Sequence, residues 1–309
     1  MDDPTAISQP KLSIMVPAFG ESPYLSETLE SLAINTNSNS VNIYVVDDSS
    51  PTDNVREICA AYSDRVQYIR NQKNIGLAAN FQNCINLSSS EYTMIMGSDD
   101  RVLSGIQSAF EAAVQKWPST AVLQLGVEVI DESGKPVNGL PERVKSLISP
   151  SSNLDYSSNG LGLVKRLLIG DWFYFPAIIW QTDTLKKYSL QNNYQTAVDL
   201  DLLLNMALKD EVFTFSSAPS FEYRRHSASV SSQLSKNEVR VREELSVHGD
   251  FIAGAHELGF RQFDLLAKLA LTVRLHGIKA GLALFMRDPK LGSKVIASSL
   301  SPISSKRES

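Results

Sequence analysis

Two pairs of adjacent aspartates, Asp47-Asp48 and Asp99-Asp100, each follow a run of apolar and β-branched residues, VNIYVV and YTMIM. A carboxylate in such a place accepts from a base N–H or a ribose hydroxyl, or else caps and braces the turn. Two carboxylates side by side in a loop suit a hard divalent cation, Mn2+ or Mg2+, which takes oxygen ligands and shares them with substrate phosphates. One such doublet reads equally well as a solvated turn. Two of them, after two similar runs, point to one site.

Other stretches carry compatible chemistry. Val16-Pro17-Ala18-Phe19-Gly20-Glu21 follows the first apolar run, and its proline and glycine shape a loop able to lie along a nucleoside, with Phe19 or Glu21 as contacts. Asn74 to Phe81 is a small-residue helix start. There Gly76 lets backbone approach a ligand and the N-terminus favours anions, with close packing of helix on sheet as the competing account. Further on, Trp172 in GDWFYFP either stacks on a sugar ring or sits in the core. Asp199 and Asp201 on one helix would point to different sides. The arginines of Tyr223-Arg224-Arg225-His226 suit phosphate recognition, beside one of the chain's four histidines.

The elements that must position these residues alternate. Segments 11–19, 41–48, 66–71 and 92–97 read as strands, and Pro23 to Asn35, Asp53 to Ser63, Leu77 to Leu87 and Ser104 to Trp117 carry apolar residues at helical spacing. That order predicts a Rossmann-like, mostly parallel sheet, whose ligands bind beyond the carboxyl ends of the strands, where both doublets fall. From about Ala121 longer strands, a Glu132-Ser133-Gly134-Lys135 turn and a Ser/Asn-rich loop near 149–160 predict a mixed sheet with an acceptor-shaping insertion. Beyond Ser229 the reading is helical, at 236–258, 262–276 and 278–287, followed by a Ser-rich tail read as disordered. The expected division is an α/β catalytic domain over 1–230, with halves 11–120 and 121–230, and a helical extension over 231–309.

With 309 residues and 43% hydrophobic content, the chain can bury one large core. Its first ten residues, MDDPTAISQP, lack the basic start and apolar stretch of a secretory signal, and Lys268, Arg274, His276 and Lys279 interrupt the most apolar C-terminal stretch. A cytoplasmic, non-spanning chain is expected. Cys59 and Cys84 read as reduced core thiols. Charge is polarised: residues 261–309 hold nine Lys/Arg against three Asp/Glu, so +6 stands there against −11 elsewhere in a total of −5. Leu265, Leu266, Leu269, Leu271, Val273, Leu275 and Ile278 with interleaved cations predict either a helix lying on the inner face of a membrane or packing onto the body or a second subunit. No nucleic-acid partner is expected.

Taken together, VPAFGE, VVDDSSPTD, NIGLAANF and GSDD occur in the order and at about the intervals found in family 2 glycosyltransferases, and residues 11 to about 230 resemble that family. The resemblance implies a GT-A-type fold and inverting transfer of a sugar from a nucleoside diphosphate, with UDP-sugars favoured, to an acceptor hydroxyl that is free or lipid-linked. Pro17, Ala18, Phe19, Glu21, Asp47, Asp48, Gly76 and Ser98 would contact the donor nucleotide. Asp99 with Asp100 would form the DxD metal site for Mn2+ or Mg2+, completed by His226, and Asp199 of Val198-Asp199-Leu200-Asp201 would be the base. Trp172, Asp201, Arg224 and Arg225 fall on the sugar and acceptor side. Gly97 stands where many members have the first Asp of DxD, Val198 replaces the usual Glu, and the Gln-x-x-Arg-Trp motif of processive synthases is missing. The rival readings are a sugar nucleotidyltransferase, whose glycine-rich basic triphosphate loop is absent after the first strand, and a degenerate nucleotide-sugar binder or assembly partner.

Overall fold

Runs apolar on both faces build the first half of the computed structural model, which describes residues 11–137, 154–188, 190, 194–226 and 238–303. Strand β1 (Leu12–Ala18) is buried along almost its whole length; β2 (Val41–Asp47), β3 (Val66–Arg70) and β4 (Tyr92–Ile95) join it in the order β3-β2-β1-β4, all parallel. Parallel neighbours need crossovers, which helices α1 (Leu25–Asn35), α2 (Asn54–Ala60) and α3 (Leu77–Leu87) provide. The two-residue period of a strand sorts the side chains: Ile14, Val16, Ile43 and Val45 share a core with α1 and α2, and Met15 and Val46 share one with α3. The register places Ala18 beside Asp47 and Asp47 beside Arg70, so the strands release their loops at one edge.

After the two-residue strand β5 (Arg101–Val102) and helix α4 (Ile106–Lys116) come β6 (Val122–Ile130), β7 (Tyr156–Asn159), α5 (Val164–Ile169), β8 (Ile178–Gln181), α6 (Thr182–Leu185), α7 (Val198–Leu208) and the long β9 (Val212–Arg224). Among the described residues the sheet has nine strands, in the order β3-β2-β1-β4-β8-β6-β9-β5, with β7 on β9. Strand β8 runs antiparallel to both β4 and β6, and β9 runs parallel to β6, so the sheet is mixed beyond its parallel half. Of the Ser/Asn-rich loop expected near 149–160, residues before 154 lie outside the described part, and β7 forms at its end.

The C-terminal helices are α8 (Glu238–Glu257), α9 (Asp264–Leu269), α10 (Leu271–Phe285) and α11 (Pro289–Ser299). Two expectations need correction. The helix read through 262–276 is broken at Ala270, which takes a left-handed conformation (φ 41°) while fully buried. Part of the supposed Ser-rich tail is helix α11, started by the Asp288 side chain accepting from Leu291 N at 3.0 Å with Pro289 in the first turn. Residues 304–309 lie outside the described part. Helix α8 places Val247, Phe251 and Ala255 in the core that also holds α5 and α7. Cys59 and Cys84 are buried free thiols, and burial pushes the Cys59 thiol up to about 12. No helix among the described residues is long and apolar enough to cross a membrane.

Helix α7 lies so close to the turn after β7 that a Cβ on Gly160 would stand 2.5 Å from the Ala207 Cα. Backbone cannot move aside as a flexible side chain would. Gly160→Ala should therefore destabilise the chain by about 1–3 kcal/mol, read as a lowered melting temperature.

Candidate functional site

The first doublet divides its labour. Asp47 is wholly buried and accepts from Ser50 N (2.8 Å), Ser50 Oγ (2.6 Å), the Tyr68 hydroxyl (2.6 Å) and Arg70 Nη1 (2.7 Å). Burial alone would raise its pKa, but the Ser50 and Tyr68 hydrogen bonds, with Arg70, hold the carboxyl below its ordinary value. Asp47 is thus a brace with its oxygens filled, and the expected contact to a donor base is not available to it. Through Ser50 it also holds the β1 loop, because Ser50 Oγ accepts from Gly20 N at 2.9 Å, where Gly20 has a φ of 75°. Beside that loop Pro17 is half-buried, Ala18 buried, and Phe19 and Glu21 exposed.

Asp48 instead gathers the next loop. Its Oδ1 accepts from Asn71 Nδ2 (2.8 Å) and Ile75 N (2.9 Å), and its Oδ2 accepts from Gly76 N (2.8 Å). Gly76 has a φ of 85°, a region that side chains disfavour, and it opens α3. Beside this loop lies an open groove of about 1110 Å³ whose walls include the carboxamides of Asn71, Gln72, Gln82, Asn83, Asn86 and Gln195.

The second doublet converges on empty space above Gly97. A Cβ on Gly97 would stand 2.6 Å from both Asp99 Oδ1 and Asp100 Oδ2. Asp100 is buried; its Oδ1 accepts from Arg224 N at 2.8 Å, while its Oδ2 is buried without a hydrogen-bond partner. Burial first, and the neighbouring Asp99 charge second, push the Asp100 carboxyl well above the usual range. On the other side of Asp99, His226 Nε2 lies 2.7 Å from Oδ2, and its ring packs against Tyr24. Ser98, half-buried, offers its backbone oxygen to Ser22 Oγ.

An orphaned carboxylate oxygen, a second one aimed at the same space, an open glycine beneath them and an imidazole beside them fit a hard divalent cation. Among the described residues no group of three or more His, Cys, Asp or Glu is placed to hold a metal ion by itself. Gly97, which looks from the sequence like a lost ligand, is what keeps this space open.

Several expected contacts belong to the scaffold. Arg224 is buried, its Nε donates to Asp99 O (2.8 Å), its Nη2 pairs with Glu27, its Nη1 reaches the Asp131 and Glu132 carbonyls, and its guanidinium lies over the Tyr24 ring. The phosphate or sugar role expected for it is corrected, since its donors are committed to holding the Asp99-Asp100 turn. Arg225 is half-buried, with its N bonded to Ile130 O. Trp172 is 5% exposed and packed against Phe173 and Phe215, so it fills the core and presents no face to a sugar. Asp201 is buried and accepts from Asn205 Nδ2, whereas Asp199, in the same first turn of α7, is half-buried and accepts from Leu200 N at 2.9 Å. The two do point apart. Tyr24, Tyr68, Arg70 and Asn71 were not anticipated; only Arg70 left a signal, being the residue in register with Asp47.

A parallel half with carboxylates at its strand ends, joined to a mixed half carrying an aspartate-headed helix, is the arrangement of the GT-A fold. Residues 13–148 match the family described as Glycosyl transferase family 2. The glycosyltransferase GlyG of Streptococcus pneumoniae is 34% identical over 115 residues, which span 36% of this chain and 38% of GlyG. The chain thus spans well under half the length of that relative. Among solved structures, S. aureus TarS 1-349 in complex with UDP-GlcNAc shares the fold at a TM-score of 0.54 and 15% identity, covering 94% of this chain and 90% of that one. The mannosyltransferase PcManGT from Pyrobaculum calidifontis, in complex with GDP-Man and Mn2+, does so at 0.57 and 14%, covering 94% and 86%.

The state of Asp100 has a measurable consequence. At low pH its carboxyl is protonated in both folded and unfolded chains; as pH rises the unfolded chain ionises first, so folded stability declines toward the raised pKa. Asp100→Asn should remove that slope and stabilise the metal-free protein at pH 7 by about 1–3 kcal/mol, while abolishing any rise in melting temperature on adding Mn2+.

Proposed function

We propose that this chain is an inverting, cation-assisted glycosyltransferase that moves a sugar from a nucleoside diphosphate to an acceptor hydroxyl. The observation that carries the reading is the convergence of Asp99 Oδ1 and Asp100 Oδ2 over Gly97, with His226 alongside, at the strand edge where Asp48 holds the Asn71–Gly76 loop. Asp99, Asp100 and His226 would hold Mn2+ or Mg2+, which as a Lewis acid stabilises charge on a departing diphosphate. Asp48, Gly76, Ser98 and the loop from Pro17 to Glu21 would bind the nucleoside, with a UDP-sugar favoured. Asp199 takes the proton of the acceptor hydroxyl as the new oxygen–carbon bond forms and the bond to the diphosphate breaks. The diphosphate leaves with the electron pair, and the anomeric centre inverts.

Arg225, on the half-buried turn before His226, and the carboxamide-lined groove beside Gln195 suit the sugar and acceptor side, because amides both donate to and accept from hydroxyls. Calorimetry of UDP, GDP and dTDP, with and without Mn2+, should show metal-dependent binding of one nucleotide that disappears in Asp99→Ala. Absence of binding under every condition would instead support the degenerate assembly partner. Asp199→Asn should depress turnover by about 10² to 10⁴-fold and leave nucleotide affinity unchanged. Parallel loss of both would remove Asp199 from the base role.

A peripheral membrane location is part of the same reading. Leu271, Leu275, Leu282 and Phe285 form an exposed stripe on α10, with Leu265 and Leu269 of α9 nearby, and exposed Lys279, Lys290 and Lys294 on α10 and α11. An apolar stripe with cations beside it suits an anionic bilayer, the place of a lipid-linked acceptor. The protein should float with phosphatidylglycerol vesicles, and L271Q/L275Q/L282Q should not. A dimer in solution that the triple variant dissolves would assign the stripe to a second copy instead.

A further inference from the structure

Helix α7 begins without a cap of its own: Ala197, at its N-cap position, has no side chain that can accept a hydrogen bond. The acceptor comes from α8. Glu243, 6% exposed, accepts from the backbone N–H of Gln195 (3.0 Å), Thr196 (2.7 Å) and Ala197 (3.3 Å), and from Thr196 Oγ1 (2.7 Å). A carboxylate there gathers three successive amides of the turn entering α7 and faces the positive end of the helix dipole. A second tie lies just upstream, where the buried Tyr194 hydroxyl donates to Asp250 Oδ2 at 2.5 Å.

The same helix also reaches the neighbouring loop. His248 Nε2 lies 3.4 Å from Leu168 O, and the Thr272 hydroxyl of α10 bonds Ile169 O, just before Asp171. Three residues ahead of Glu243, Arg240 donates from Nε to Glu244 at 2.7 Å. Burial alone would lower its pKa, but Glu244, followed by Asp199 and Asp171, holds it above the ordinary guanidinium value.

We propose that Glu243 is a positioning residue for Asp199, holding from the C-terminal extension the 195–197 turn that leads into α7. The proposal rests on Asp199 as the base. Its physical content is that α7 is anchored along its length by the core, while the turn leading into it, 195–197, is gathered by the Glu243 carboxylate. Small displacements there are costly, because a misplacement of about 1 Å at a reacting group can cost roughly 10²-fold in rate.

The test uses full-length Glu243→Ala and Glu243→Gln, with Glu257→Gln as a control carboxylate exposed on the same helix. Hydrogen exchange should quicken about 5- to 30-fold in residues 194–202 of the alanine variant, less in the glutamine variant, and not in the control. Release of nucleoside diphosphate from UDP-GlcNAc, UDP-glucose and GDP-mannose should show kcat reduced about 10- to 100-fold with donor KM unchanged. Glu243→Gln retains an accepting oxygen and carries the test if the alanine variant does not fold. Unaltered exchange in 194–202, or kcat and donor KM changing together, overturns the proposal. If the wild-type chain releases no diphosphate from any donor, the transferase reading falls, while the exchange experiment still decides whether Glu243 sets this turn.

Discussion

A buried carboxylate oxygen with no donor is among the most costly things a fold can hold, and Asp100 Oδ2 is one. Its neighbour Arg224 makes the arrangement tolerable without neutralising it. The Arg224 backbone N–H satisfies the other oxygen of Asp100, while its side chain pins the Asp99 carbonyl, Glu27 and the end of β6 around it. The turn is thus held by several bonds while Asp100 Oδ2 is left without a partner toward Gly97. A cation bound there would add stability to the folded chain by mass action.

The two acidic doublets share a design. In each, the buried aspartates are consumed by the scaffold: Asp47 braces the β1 loop, Asp48 holds the Asn71–Gly76 loop, and Asp100 sits beneath the half-buried Asp99. Burial, not sequence position, assigns these roles. The Arg224-Arg225 pair follows suit, since alternation along β9 and its continuation sends the first inward.

This explains what was legible beforehand. The parallel half was legible because strand-helix alternation and continuous apolar runs have few other solutions, and the strand ends then located both doublets. Asp199 and Asp201 were separable because helical geometry alone sends them apart. The inward roles of Asp47, Arg224 and Trp172 were not, because each depends on partners far along the chain, such as Tyr68, Glu27 and Phe215. Helix α11 was signalled by Asp288-Pro289 but was obscured by its serines, two of which, Ser298 and Ser299, are buried. The kink at Ala270 had no local signal, since alanine is an ordinary helix former held in a left-handed turn only by its packing.

The Asp99-Asp100 turn is completed by residues 124 to 127 positions later in the chain, Arg224 through its N–H to Asp100 and His226 through its imidazole to Asp99. The region of family likeness, 13–148, therefore ends before this acidic turn is completed. In modular terms the donor half is not a cassette. A chimera that grafts this first half onto another relative's second half would carry both aspartates yet lose the strand that holds them, unless the recipient's own β9 offered an arginine and a histidine at the same two heights.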